Sequence, residues 1–328
     1  MPFSLPARAP ILRSFIFAVA LGYPLLPHAA PPARFDKELQ LAAKAWQAGE
    51  YDRAYSQYLH VSRDSHVAQF FLGLFQQNGW GRPRNAVQAC RWFERAAAGK
   101  VPAAQHYLGD CLVAGRHRAV DIPAALDLYQ SAANSGHLGS LCAMAKLYMQ
   151  GKLVPQDTAQ ALELYTQAAQ AGVPEAMLGL GKFYSGAEGG GADPALAQQW
   201  YLQAAQHAVP EAQYQLGLML GKAGSESTRL KQALFWLESA ATQGWVDAYL
   251  ATAIQYSNSP VDPATGMLPP ETLAKVYLWT AAAKARSHGG EVGAVIARLE
   301  LGLERMMPAS WRPDLDKQVA AHLAKFPQ

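Results

Sequence analysis

The chain has 328 residues, half of them apolar and 16% charged, with a formal net charge of +3, a composition that argues against a disordered tail protein. Sixty-one alanines stand against 16 valines and 5 isoleucines, so helix formers outnumber the β-branched residues that strands prefer, which disfavours a mostly β fold. The small basic excess offers no footprint for nucleic acid.

Residues 1–30 read as an export signal. Arg8 and Arg13 precede an apolar run from Phe15 to Leu26, and Ala29 and Ala30 supply small residues for cleavage, although Pro31 sits badly after a cut at Ala30. The run has twelve residues, whereas a membrane-spanning helix needs roughly 20. The expectation is a periplasmic or secreted protein with no membrane span in the mature chain; an uncleaved anchor is the alternative.

From Val67 onward the sequence repeats. Ala68, Ala104, Ser140, Ala176, Ala212 and Ala248 recur every 36 residues, each followed four positions later by Leu72, Leu108, Met144, Leu180, Leu216 and Thr252 and then by Gly73, Gly109, Ala145, Gly181, Gly217 and Ala253. Small residues at i and i+5 with a large one at i+4 share one helical face, so this is the first helix of each unit, approached closely by a neighbour. A second helix follows with the same period. Ala89, Ala125, Ala161, Ala197 and Ala233 precede Trp92, Leu128, Leu164, Trp200 and Trp236 by three, and alanine pairs come four residues later. Asn85, Asp121, Asp157 and Asp193 stand where an N-cap belongs, and Arg229 does not, so the fifth unit's helix should start near Ser227 or Thr228. Gly99, Gly136, Gly172 and Gly244 suit a left-handed residue beyond a helix end.

The pattern Ala-x3-Leu-Gly-x2-Tyr, then Asp-x3-Ala-x2-Trp-Tyr-x2-Ala-Ala, resembles the Sel-one-like repeat family, a relative of tetratricopeptide repeats. Ala176, Leu180, Gly181, Tyr184, Asp193, Ala197, Trp200, Tyr201, Ala204 and Ala205 carry it most fully. The resemblance implies an all-α fold, a right-handed solenoid of stacked antiparallel helix pairs, and protein–protein interaction without catalysis. Six repeats are expected over 67–286. The sixth carries an insertion around Ser257 to Glu271 whose prolines make it a protruding loop. Further loops are expected at Gly186 to Pro194 and Gly221 to Ser227. Residues 36–66 are similar to a tetratricopeptide pair and should cap one end. Residues 290–328 should cap the other, with helices near Gly290 to Met306 and Leu315 to Lys325.

Reactive motifs are sparse. There is no phosphate loop, no HExxH and no CxxC among the nine histidines and three cysteines, so neither a metal nor another cofactor is expected. A nucleophile, base and orienting group cannot be assembled from the sequence, which leaves a hydrolase as a remote alternative. Cys111 and Cys142 fall out of axial register by about 7.5 Å across helices about 8 to 10 Å apart, too far for a bridge. Cys90 and Cys111 lie on consecutive antiparallel helices and stay open as a pair.

Columns whose residue type changes from unit to unit are free to face a partner. Two positions past the anchoring alanine stand Phe70, His106, Cys142, Leu178, Tyr214 and Leu250; four further on stand Leu74, Asp110, Lys146, Lys182, Leu218 and Ile254. By resemblance to tetratricopeptide arrays these columns line a concave groove that holds a protein or peptide. Phe70, His106, Asp110, Lys146, Lys182 and Tyr214 are its candidate contacts; the plain alternative is a solvated wall. The expected role is an exported scaffold or adaptor of the bacterial envelope. Trp80, Phe70 and Tyr214, read as exposed aromatics, make a glycan or peptidoglycan binder the alternative.

Overall fold

The computed structural model describes residues 33–187, 191–222, 227–287 and 289–326; the expected export signal lies outside them. Among the described residues there are sixteen α-helices, one 3-10 turn and no strand. The chain divides into two compact units after Ala171. The first holds α1 (Ala33–Gln47), α2 (Tyr51–Val61), α3 (His66–Asn78), α4 (Ala86–Ala98), α5 (Pro102–Val113), α6 (Ile122–Asn134), α7 (Gly139–Gln150) and α8 (Thr158–Gln170). The second holds α9 (Pro174–Tyr184), α10 (Pro194–Gln206), α11 (Pro210–Lys222), α12 (Ser227–Thr242), α13 (Val246–Ser257), α14 (Pro270–Arg286), α15 (Gly290–Met306) and, after the turn at Ala309–Trp311, α16 (Arg312–Leu323). Each unit is a run of helix pairs joined by short connections, the α-solenoid architecture that the 36-residue period predicts.

The helix starts are written as the columns foretell. The side chains of Asn85, Asp121, Asp157 and Asp193 each accept a hydrogen bond from a backbone N–H two or three residues on, which satisfies a first-turn donor of α4, α6, α8 and α10. The fifth such helix, α12, lacks the cap at Arg229 and begins at Ser227. The loop expected over 221–227 is shorter than the sequence suggests, because α11 runs on to Lys222.

The anchoring column Ala68, Ala104, Ser140, Ala176, Ala212 and Ala248 is wholly buried. The small residues five positions on take a ring or branched side chain of the paired helix. A Cβ on Gly73 would lie 2.4 Å from Phe93, on Gly109 2.6 Å from Tyr129, on Gly181 2.5 Å from Tyr201 and on Gly217 2.6 Å from Leu237. These contacts shift attention from the tryptophan column by one residue. Phe93, Tyr129, Tyr165, Tyr201 and Leu237 are at most 2% exposed, whereas Leu128, Trp200 and Trp236 are only half-buried.

The helix ends correct the glycine expectation. The left-handed residue recurs every 36 positions at Lys100, Gly136, Gly172, Ala208 and Gly244, with φ between 54° and 94°. Gly99 has φ of −82°. It is small for another reason: a Cβ there would lie 2.1 Å from the His66 imidazole.

Beyond the repeats, α1 and α2 bring Trp46 and Tyr51 onto Trp80, with ring centres 5.2 and 6.3 Å apart. At the other end the buried His322 of α16 meets the Tyr249 hydroxyl at 3.1 Å and the Trp279 ring edge-on at 5.3 Å. The Arg286 guanidinium donates to the carbonyls of Leu323 and Phe326. The insertion occupies residues 258–269 and is closed by the Asp262 N–H bonding to the Met267 carbonyl, with Leu268 buried beneath it.

The glycine contacts give a paired prediction. Gly181→Ala should lower stability by about 1 kcal/mol, since strain against Tyr201 exceeds the gain in helix propensity. Ala145 in the third repeat shows that this position accommodates a methyl group, which keeps the loss small. Gly293→Ala, in α15 with nothing within 4 Å of the added carbon, should raise stability by about 0.5–1 kcal/mol. Denaturation midpoints moving in the same direction would overturn the reading.

Candidate functional site

In the first unit the expected contact residues meet a polar cluster built on α5, α6 and α7. His106 Nδ1 lies 3.1 Å from Ser140 Oγ, and His137 Nδ1 lies 3.0 Å from the same oxygen. One hydroxyl thus serves two imidazoles, whose centres are 4.7 Å apart. Ser140 stands in the otherwise alanine column, fully buried, and these two rings satisfy the hydroxyl that the substitution introduces. Asp110 accepts from the Tyr129 hydroxyl at 2.6 Å, and its other oxygen lies 3.8 Å from His106 Nε2. Burial first, and then the Asp110 charge and hydrogen bond, hold the Tyr129 phenol far above its ordinary pKa, so it stays a donor.

Ser140, His106 and Asp110 are a set that the sequence did not reveal, because Ser140 and His106 are 34 positions apart on different repeats. The arrangement is not that of a hydrolytic triad. Ser140 is 0% exposed, out of reach of a substrate carbonyl. The 3.8 Å separation from Asp110 is beyond hydrogen-bond length. What the geometry provides is a fixed, half-buried imidazole and carboxylate on the first-helix face, with Lys146 exposed on α7.

Phe70 is not part of that face. It is 5% exposed and packs against Phe71, Phe93 and Tyr107, so the groove assignment for it is corrected to core. In its column His106, Leu178, Tyr214 and Leu250 are half-buried, whereas Cys142 is buried like Phe70, which the aromatic residues around it cover. The glycan reading loses support for the same reason, since Trp80 and Tyr214 are also partly covered.

In the second unit Lys182 of α9 pairs with Glu211 of α11 at 2.6 Å. Tyr214 lies one turn beyond Glu211. Its phenol pKa is raised by burial and then by the charge of Asp247 on α13. A polar line therefore crosses the first helices of three successive repeats. Its acids Glu211 and Asp247 are legible in the sequence, since with Glu175 they recur every 36 residues in the first turns of α9, α11 and α13, where a negative charge also complements the helix dipole.

Two features lie off these columns. A disulfide joins Cys90 of α4 to Cys111 of α5, whose Cα atoms are 5.8 Å apart, and settles the pairing left open by the sequence. Both sulfurs are buried, and Cys142 is buried outside the bridge. A cleft of about 300 Å³ between α1 and α2 is lined by Glu38, Leu41, Arg53, Ser56, Gln57 and His60. Among the described residues no cluster of three or more His, Cys, Asp or Glu could hold a metal, and no helix is long and apolar enough to cross a membrane.

Comparison with known proteins follows the repeat. The family model described as Sel1 repeat matches residues 66–100, 102–137, 139–173, 174–208 and 210–245, more than half of the chain. A solved Sel1 repeat protein from Oxalobacter formigenes is similar at 23% identity with a TM-score of 0.63, over 76% of this chain and all of that one. A protective antigen present in uropathogenic Escherichia coli strains, displaying an SLR fold, is similar at 21% identity with a TM-score of 0.63. That match covers 88% of this chain and 61% of the antigen. No curated protein matches.

The disulfide makes a countable prediction. Denatured without reductant the full chain should show one thiol, and after reduction three, while the native fold should show none within minutes. Replacing Cys90 and Cys111 together by alanine should cost about 3 kcal/mol, the magnitude for a closed loop of this size. Three thiols in the unreduced, denatured protein would remove the bridge.

Proposed function

The chain belongs to the Sel1 repeat family, whose members generally mediate protein–protein interactions, and on that premise we propose that it is an exported scaffold or adaptor that holds a protein or peptide partner on the first-helix faces of its repeats. The observation that carries the reading is a contrast within the second to fifth repeats. Alanine and glycine columns are closed by packing, while the neighbouring columns present His106, Asp110 and Lys146 in the first unit and Lys182 and Tyr214 in the second, half-buried or exposed. Half-buried polar groups held by a rigid helix lose little entropy when a partner binds, which favours recognition. The helix pair over 36–66 and the helices over 290–328 serve as caps in this reading, and α13 with α14 forms a sixth repeat.

Export rests on the Arg8, Arg13 and Phe15–Leu26 pattern and gains support from the Cys90–Cys111 bridge, because disulfides persist in oxidising compartments. N-terminal sequencing of the protein from cell fractions should give a mature chain beginning at Ala30 or Pro31 in the periplasmic or secreted fraction. A chain retaining residues 1–30 in the membrane fraction would replace cleavage with anchoring.

The binding role is tested by crosslinking the native protein in its own compartment. Lys146→Glu combined with Lys182→Glu should abolish partner capture with helicity retained. Unchanged capture would reject the first-helix faces as the site.

A further inference from the structure

A second charged surface is carried by the second helix of the first repeat and the loop after α5. Residues 79–118 contain seven Lys or Arg and two acids, a net +5 against +3 for the whole chain, so everything outside this stretch sums to −2. The structure gathers part of this charge onto one surface. Arg91 and Arg95 are exposed one turn apart on α4, and Arg84 is exposed just before the Asn85 cap. Arg118, on the loop between α5 and α6, reaches back to pair with Glu94, which lies on α4 between the two arginines. Beside it His117 is buried, its Nε2 3.4 Å from Glu94 Oε2 and neither ring nitrogen hydrogen-bonded among the described residues.

Burial first, and then the nearby Arg91, lower the His117 pKa. The charge of the surface is therefore guanidinium charge and does not vary across the neutral range. Arg84, Arg91 and Arg95 form no ion pair among the described residues; Arg95 instead lies 4.8 Å over the Trp92 ring, which holds its guanidinium in place.

We propose that Arg91 and Arg95 of α4, flanked by Arg84 and Arg118, form a docking surface for an acidic segment of a partner protein in extended conformation. The two arginines are four residues apart, an axial spacing of about 6 Å on a helix. Alternate residues of an extended strand project to one side about 6.6 Å apart. Carboxylates at every second position thus meet successive guanidiniums in fork geometry. Three or four guanidiniums are too few for tight nucleic-acid binding, where about six to ten phosphates are neutralised. This surface is separate from the first-helix faces, so the two readings stand or fall independently.

The test uses the full chain and a fluorescent twelve-residue peptide alternating Glu and Ser, read by anisotropy at 50 mM salt. A same-composition peptide with the glutamates in one block, a twelve-nucleotide single-stranded DNA and vesicles containing 30% phosphatidylglycerol are the comparisons. The alternating peptide should bind most tightly and weaken with salt. Arg91→Glu with Arg95→Glu should weaken it at least tenfold, Arg91→Gln with Arg95→Gln by a smaller factor, and Arg298→Glu on α15 should leave it unchanged. Circular dichroism confirms that each variant is folded, and the glutamine pair remains the readout if the glutamate pair is not. Equal binding by the glutamine pair, an equal or tighter blocked peptide, tighter binding of DNA or vesicles, or no measurable peptide binding would each overturn the proposal.

Discussion

One contact sets the geometry of four of the repeats: a large side chain of the second helix seated against a glycine of the first. Phe93 on Gly73, Tyr129 on Gly109, Tyr201 on Gly181 and Leu237 on Gly217 are the same contact in the first, second, fourth and fifth repeats. Close approach of two helices at this point brings the anchoring alanines into the core and leaves them no exposed surface. Each repeat buries its apolar stripe only against its own partner helix and its neighbours, so the contact must recur wherever the chain continues. The conformational cost of glycine within a helix is offset by burial of a ring or a leucine side chain.

Because the tight contact consumes one face of each first helix, sequence variation is pushed to the columns beside it. The structure shows what happens when variation enters the tight column instead. Ser140 takes the place of an alanine, and its hydroxyl would cost about 1–3 kcal/mol if left without a partner in the core. His106 and His137 meet it from two sides. The polar cluster that resembles catalytic machinery on paper is thus a structural answer to a polar residue at a core position, and burial of Ser140 keeps it so.

The fold was legible because the repeat states it several times over. Caps, alanine columns and the period agree, and local and global signals that agree define a single fold. The misreadings came where one repeat differs in surroundings from its neighbours. Phe70 shares a column with Tyr214, yet the aromatic residues around α3 bury it; a column records position on a helix and not what lies over it. Gly99 was assigned to the left-handed site that Lys100 occupies, since glycine serves both freedom of backbone and close approach, and sequence does not distinguish the two. The site was less legible than the fold. His106, Asp110, Lys146, Lys182 and Tyr214 could be named as variable, but Ser140, Tyr129 and Glu211, the partners of His106, Asp110 and Lys182, lie 19 to 34 positions away on other helices.

The disulfide ties these levels together. Cys90 lies one residue before Arg91, and Cys111 lies in the last turn of α5, just before the loop that carries His117 and Arg118. The Arg116 N–H bonds to the Cys111 carbonyl, so the bridge fixes the start of that loop against α4. From there His117 reaches its buried place and Arg118 reaches Glu94. An arginine surface repels itself, and holding the loop against α4 by covalent attachment and by the Glu94 carboxylate lets the guanidiniums stay together without a partner present. The repeats supply a rigid frame, but the 36-residue pattern alone does not specify this local charge. Arg84, Arg91 and Arg95 come with α4 itself, while the loop that adds Arg118 starts at a bridge between two cysteines that no other repeat carries at those positions.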